Sequence, residues 1–315
     1  MKDLISVCIL NCNWLSRLQK TLKNNIDTLS YEYNDIEFLL LDNWSSDWSI
    51  EYVEQFKEVR IIKSEINLWI SAWRNLLAKE CKWDYILFLD NDIQIDDIYF
   101  LDKILDDYKK LKDKNIWVLF PISIMENDDT YCNIWLSFTH TQKYKFEDVR
   151  NIWFIQKWWF EWSAFFIRKW IFDKIWWFDE KYPFCMNDTD LSMRLYNMWY
   201  TIYCDSNLYT IHHWLDTRTS AQNIWWKYQF YFAAFLRSIL KNYNTINMLK
   251  WLWISILWII FKAFKLSIKY CSLLPLKWLI ISIWKFFKDL PETLKLRKYY
   301  QKIRVIPQDV YLNFK

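Results

Sequence analysis

The sequence predicts an α/β protein, a doubly wound mixed sheet followed by amphipathic C-terminal helices. Three features carry that reading. Short apolar runs of strand length alternate with helix-period stretches from the N-terminus to about residue 121. Two of those runs end in aspartate, at Asp42 and Asp90, where open α/β sheets bind ligands. Beyond residue 220 the chain turns aromatic, apolar and basic at helical spacing.

The first strand is expected at 4–10, followed by the loop Asn11-Cys12-Asn13-Trp14 and a helix through Leu15, Leu18 and Leu22. A second strand at 36–41 ends at Asp42, and the Asp/Ser cluster of 43–49 suits the N-cap of a helix at 50–56. A third strand at 59–63 leads through Asn67-Leu68-Trp69 into a helix at 70–79. The fourth, at 85–89, precedes a helix at 97–112 and a fifth strand at 116–121. Strands that alternate with helices in this way are parallel, because a parallel pair needs a crossover long enough to hold a helix. Residues 151–168 read as short aromatic strands, 175–180 as a turn, and 188–197 as a helix opened by carboxylates, which its N-terminus favours. A last strand at 204–211 ends at His212-His213. The α/β domain is therefore expected to span 1–220.

The region 221–315 reads as helices at 226–240, 248–270 and 277–288. Lys262, Lys265 and Lys269 fall on one helical face, and residues 241–315 hold 14 Lys/Arg against 3 Asp/Glu. The longest uncharged run, 251–261, is well short of the roughly 20 residues that a membrane span needs. These helices are expected to lie in an anionic membrane surface, although a helical subdomain with solvated lysines accounts for the same pattern.

At 315 residues the chain can bury a large core, and its net charge of +4 is small. No nucleic-acid partner is expected. Seven cysteines, an odd number without a C-x-x-C pair, indicate a reducing compartment and neither a disulfide framework nor a zinc site. Met-Lys-Asp followed by a strand-length run is too short for a signal peptide, which places the expected location in the cytoplasm, peripheral on the inner face of the cell membrane.

One feature of the composition is abnormal. There is no glycine and there are 24 tryptophans, whereas a chain of this length holds about 22 glycines at roughly 7 per cent usage. Asn13-Trp14, Asn43-Trp44 and Asp47-Trp48 stand where turn chemistry asks for a residue tolerant of positive φ. The doublets Trp158-Trp159, Trp176-Trp177 and Trp225-Trp226 are ordinary as Gly-Gly. The expectation is that the host reads the codon rendered here as Trp, UGA, as glycine.

The chemistry centres on residues 85–95, YILFLDNDIQI, an apolar strand that delivers Asp90 and Asp92 to the rim of the sheet. Mg2+ or Mn2+ held by one or two carboxylates keeps open positions for water and substrate phosphates, so the natural third party is a diphosphate. Taken alone, the Asp-Asn-Asp run also reads as an acidic turn before a helix.

With these residues in view, the chain resembles the family 2 glycosyltransferases with the GT-A fold, and most of all the rhamnosyltransferase-like enzymes of polysaccharide biosynthesis. The resemblance covers roughly residues 3–215 and rests on five motifs in order: 11–14, 41–49, 67–75, the Asp-Asn-Asp run and 176–195. LDNWSSDWS stands for the family's DNGSxDGS, NLWISAWRN for NxGxxxGRN and IWWFDEKY for GGFDE, so every motif glycine is Trp here. The resemblance implies that Asn11 and Asp42 bind the donor, Asp42 at its nucleobase or ribose, and that Asn67, Arg74 and Asn75 line its pyrophosphate and sugar. It places Asp90 at the ribose and metal, Asp92 as metal ligand, and His212 or His213 near the metal or diphosphate. Asp188, in Asn187-Asp188-Thr189-Asp190, takes the place of the general base, with Asn187 where the family has glutamate and Asp190 as a helix cap.

The expected activity is an inverting transfer of a sugar from a nucleotide-diphosphate donor to a hydroxyl of a glycan or lipid-linked acceptor, dependent on Mn2+ or Mg2+. A haloacid-dehalogenase-type phosphatase also places D-x-D after a strand but leaves the Asp42 and Asp188 motifs unexplained. A catalytically silent membrane-bound scaffold is the reading that real tryptophans in the donor loops favour.

Overall fold

The computed structural model describes residues 3–312 apart from 32, 34, 127, 138, 139, 146–152, 158, 159, 161, 162, 176, 183, 184 and 214–220. Trp158, Trp159, Trp162, Trp176 and Trp214 therefore lie outside the described residues. The chain divides into two compact units, residues 1–178 with 200–215 and 314–315, and residues 179–199 with 216–313. A single cut at 220 thus differs from this division, in which 179–199 groups with the C-terminal helices.

Among the described residues the first unit is a mixed sheet of eleven strands with helices. It opens with β1 (Ile5–Asn11), α1 (Leu15–Ser30), β2 (Ile36–Asn43), α2 (Ser49–Val53), β3 (Val59–Ser64) and α3 (Ile70–Glu80), then β4 (Tyr85–Asp90), the short β5 (Ile93–Gln94) and α4 (Phe100–Lys110). It continues through β6 (Ile116–Met125), β7 (Asp128–Ser137), β8 (His140–Lys145), β9 (Phe154–Lys157), β10 (Ala164–Arg168), α5 (Lys169–Ile175) and β11 (Thr201–His212). Along the main path the order is β3-β2-β1-β4-β10-β6-β11-β5. β1, β2, β3 and β4 run parallel, as the strand–helix alternation predicts, and β10 is inserted antiparallel between β4 and β6. The seven residues of β1 are all buried, as a central strand covered on both faces requires. Its Ile5, Val7 and Ile9 pack with Leu18, Leu22 and Ile26 of α1, whose apolar positions recur at three- and four-residue spacing.

The β7–β8 hairpin and α5 are elements that the sequence reading did not separate. Their residues mix polar and aromatic types without a clean period.

The second unit holds α6 (Asn187–Asn197), α7 (Ala221–Asn242), α8 (Thr245–Lys269), α9 (Leu274–Lys288) and α10 (Leu290–Ile303). α8 and α9 pack on α7 through Phe232, Leu236, Ile259, Ala263 and Leu279. Among the described residues α8 is the one helix long and apolar enough, by length and composition, to cross a membrane. Two lysines interrupt its apolar stretch, which is why the longest uncharged run understates it.

Candidate active site

In the first unit the polar residues gather where β1, β2, β4 and β11 end. Asn11, Asn43, Asp90 and His212 are the last residues of their strands, and register pairing sets Asn11 beside Asp42 and Leu10 beside Asp90. Asn11 is the centre of the cluster. Its amide nitrogen donates to Asp42 Oδ1 at 3.2 Å, and its oxygen accepts from Asn91 Nδ2 at 2.8 Å. Asp42 Oδ2 accepts from the Ser45 backbone N–H at 3.0 Å, which folds the 43–49 loop back over the end of β2. Asn43 holds the next loop, donating to Asn67 Oδ1 at 2.9 Å and accepting from the Leu68 N–H at 2.7 Å. Asp42 and Asn67 thus belong to one bonded group of loops, as carboxamides and carboxylates at turns favour.

Arg74 is fully buried, with Nη2 3.6 Å from Asp90 Oδ1 and its guanidinium between the rings of Phe165 and Phe178, at 5.3 and 5.7 Å. A planar cation held this way keeps its direction. Asn75 is tied to the segment after α5. Its amide donates to the Phe178 carbonyl and accepts from the Phe178 N–H, each at 2.9 Å, so it clasps the backbone after α5.

Asp92 is the most heavily engaged carboxylate of the group. His212 Nε2 stands 3.4 Å from Oδ1 and Arg17 Nη1 2.5 Å from Oδ2. Burial opposes its charge, but the hydrogen bond and charge of His212, with that of Arg17, outweigh it and hold Asp92 below the ordinary carboxylate range. His213 points the other way, with Nδ1 2.8 Å from Glu126 and Nε2 2.8 Å from Gln94. Successive residues of a strand face opposite sides, so His212 is the one beside Asp92. Arg17, which the sequence reading did not single out, lies one turn into α1 and stacks on Trp14 at 3.7 Å. No motif marks it, since only tertiary folding brings the first turn of α1 to the end of β4.

Among the described residues no group of three or more His, Cys, Asp or Glu side chains is arranged to hold a metal ion. Asp92 and His212 nevertheless converge as a carboxylate–imidazole pair, and hard divalent ions in diphosphate sites take few protein ligands and complete their shell with water and phosphate oxygens. The pair fits that use; Asp90, turned toward Arg74, is its neighbour.

In the second unit Asp188 is the second residue of α6, buried, with Oδ1 accepting from the Thr189 N–H at 2.6 Å. Asp190 does not cap the helix. It is fully buried, with Arg194 Nε at 2.9 Å and Lys241 Nζ at 2.7 Å, and it accepts from Asn242 Nδ2 at 2.7 Å. Lys241 Nζ also reaches Asp179 Oδ2 at 2.6 Å, and Arg237 Nε meets the same oxygen at 2.9 Å. The segment Asp179–Asp190 is thereby fastened to α7 by buried charge.

Five tryptophans, Trp44, Trp48, Trp153, Trp177 and Trp199, have φ between 55° and 68°. Such left-handed backbone costs a non-glycine residue roughly 1–2 kcal/mol each. Trp44 and Trp48, in the loop after Asp42, are also 62% and 72% exposed, so their rings do not fill the bonded cluster.

Residues 6–176 match the family described as glycosyl transferase family 2. An uncharacterized glycosyltransferase of Haemophilus influenzae is 34% identical over 71 residues, which covers 21% of this chain and 28% of that protein. The structure of GalNAc-T7 with UDP, GalNAc and Mn2+ superposes with a TM-score of 0.59 at 14% identity, over 78% of this chain and 49% of that one. That of S. aureus TarS 1-349 gives a TM-score of 0.51 at 14% identity, over 76% of this chain and 66% of that one. The chain therefore spans about half or less of the length of GalNAc-T7 and of the Haemophilus protein.

Proposed function

The chain belongs to glycosyl transferase family 2, with the GT-A fold, and we propose that it is an inverting, divalent-metal-dependent transferase of the rhamnosyltransferase type. The observation that carries this reading is the cluster at the strand ends, in which Asn11 ties Asp42 to the Asp90-Asn91-Asp92 run. Its donor is a nucleotide-diphosphate sugar. Its acceptor is a hydroxyl of a glycan or lipid-linked glycan of a cell-surface polysaccharide, met at the cytoplasmic face of the cell membrane.

In that reading Asp42 receives the nucleoside and Arg74, fixed between two aromatic rings, faces the negative charge that develops on the leaving diphosphate. Asp92 and His212 would hold Mn2+ or Mg2+, which supplies further charge neutralisation to the diphosphate. Arg17 must give up Asp92 Oδ2 if that oxygen is to bind the ion. Asp188, a carboxylate in the first turn of α6, takes the proton of the acceptor hydroxyl. Replacing Asp92 by Ala is expected to abolish the effect of Mn2+ on donor binding; nucleotide affinity that responds to Mn2+ as in the parent would refute the metal role.

The positive-φ tryptophans support the reading of UGA as glycine, because all five stand where glycine carries no steric cost. Trp117 is the contrasting position, fully buried with its ring 5.4 Å from that of Phe172, where glycine leaves a gap of side-chain size. The experiment that tests both ideas is Mn2+-dependent turnover of a panel of nucleotide sugars, dTDP-rhamnose included. It uses the chain as written and a version with glycine at all 24 tryptophan positions. Release of nucleoside diphosphate by the glycine version alone is the expected result. A folded glycine version that binds no nucleotide sugar would overturn the transferase reading, and equal activity of the two would overturn the recoding.

A further inference from the structure

We propose that α8 and α9 form a monotopic hairpin whose outer face is embedded in the acyl boundary of an anionic bilayer, held by apolar insertion and not by surface charge alone. The hairpin is seated on α7 by one face only. Ser255, Ile259 and Ala263 of α8 and Leu279 and Ser282 of α9 are buried. The other face is apolar and open. Ile246, Leu257, Phe261 and Ile268 of α8 and Ile280 and Phe287 of α9 range from 61% exposed at Phe287 to 82% at Ile246. On each helix they recur at spacings that keep them on one side, so each helix presents an open apolar face, about 37 Å long on α8 at 1.5 Å per residue. A continuous face of this kind marks an interaction surface. None of the six is a tryptophan, so the face stands however those codons are read.

Charge identifies the occupant. Residues 245–288 contain seven lysines and no Asp or Glu, the pattern that a layer of anionic headgroups attracts and that flexible lysine stems can meet from beside the apolar face. The same lysines argue for lying in the plane. The uncharged run 251–261 is about 16 Å of helix, roughly half of the ~30 Å hydrocarbon core, and Lys277 and Lys285 bracket a still shorter run in α9. Insertion to about 5–10 Å, at the boundary of headgroups and acyl chains, buries the apolar face and lets the exposed lysine stems reach the headgroups. This goes beyond peripheral attachment and does not depend on the transferase reading.

The test is flotation of the full chain with sealed vesicles of equal parts phosphatidylcholine and phosphatidylglycerol. The chain is expected to float with them and to stay bound at about 1 M NaCl, where the Debye length is only about 3 Å. The variant carrying L257D, F261D and I280D alters only exposed positions and is expected to lose binding by roughly tenfold or more while remaining folded. A membrane-impermeant amine reagent added outside is expected to label both Lys250 and Lys269. Binding that salt reverses and the triple variant retains would overturn the proposal, as would protection of either lysine, which means a span. Absence from the floating fraction, with self-association of the chain in its place, would also overturn it.

Discussion

Replacing Asp188 by Asn is expected to lower transfer by about 10²–10⁴-fold, the usual contribution of a positioned general base, with donor affinity unchanged. The substitution keeps the size of the side chain and its bond to the Thr189 N–H is replaceable by the amide oxygen, so α6 retains its start. What is lost is the capacity to accept a proton. Turnover measured beside nucleotide binding separates the two, and a variant with near-normal turnover would remove Asp188 from the mechanism.

The largest effect on stability is expected at Lys241. Its ammonium is fully buried between Asp179 and Asp190, at 2.6 and 2.7 Å, so Lys241→Met removes one of the three cations on these two carboxylates, leaves Arg237 on Asp179 and Arg194 on Asp190, and should cost about 1–3 kcal/mol in a urea melt. A loss below about 1 kcal/mol, the range of exposed pairs, would show that the cluster carries little. The pH dependence has a definite sign. Burial disfavours the charge of Asp179, yet Lys241 and Arg237 override it and hold the folded pKa well below the ordinary range. The stability from this group is therefore complete above the unfolded value of about 3.9 and is lost as pH falls toward the folded one; Lys241→Met should move that loss to higher pH.

Much of the catalytic unit was legible along the chain because local chemistry marks it. The runs at 36–41 and 85–89 are apolar and end in aspartate, and the strands that form there carry Asp42 and Asp90 to the same edge. Asp42, Asp90, Asp92 and Arg74 are marked in the sequence by their motifs, and the structure adds their neighbours. For Asn75 the motif does not encode the bonds that its amide makes to the backbone of Phe178. Asp190 looked like a cap because carboxylates favour helix starts, and its ion pairs with Lys241 and Arg194 lie 51 and four residues along the chain. Arg17 carried no signal at all.

By itself the sequence determined the strand–helix alternation, the carboxylates at the strand ends, the basic apolar character of residues 241–288 and the anomaly of tryptophan without glycine. These depend on spacing and composition, which act between neighbours in the chain. Only the tertiary structure decided that the side chain of His212 and not that of His213 meets the Asp92 carboxylate, that Arg17 reaches the same carboxylate, that Asp190 is locked to α7, and which faces of α8 and α9 stay open. Each of these is a contact between residues far apart in sequence, set by sheet register and helix packing, and no local preference encodes the partner.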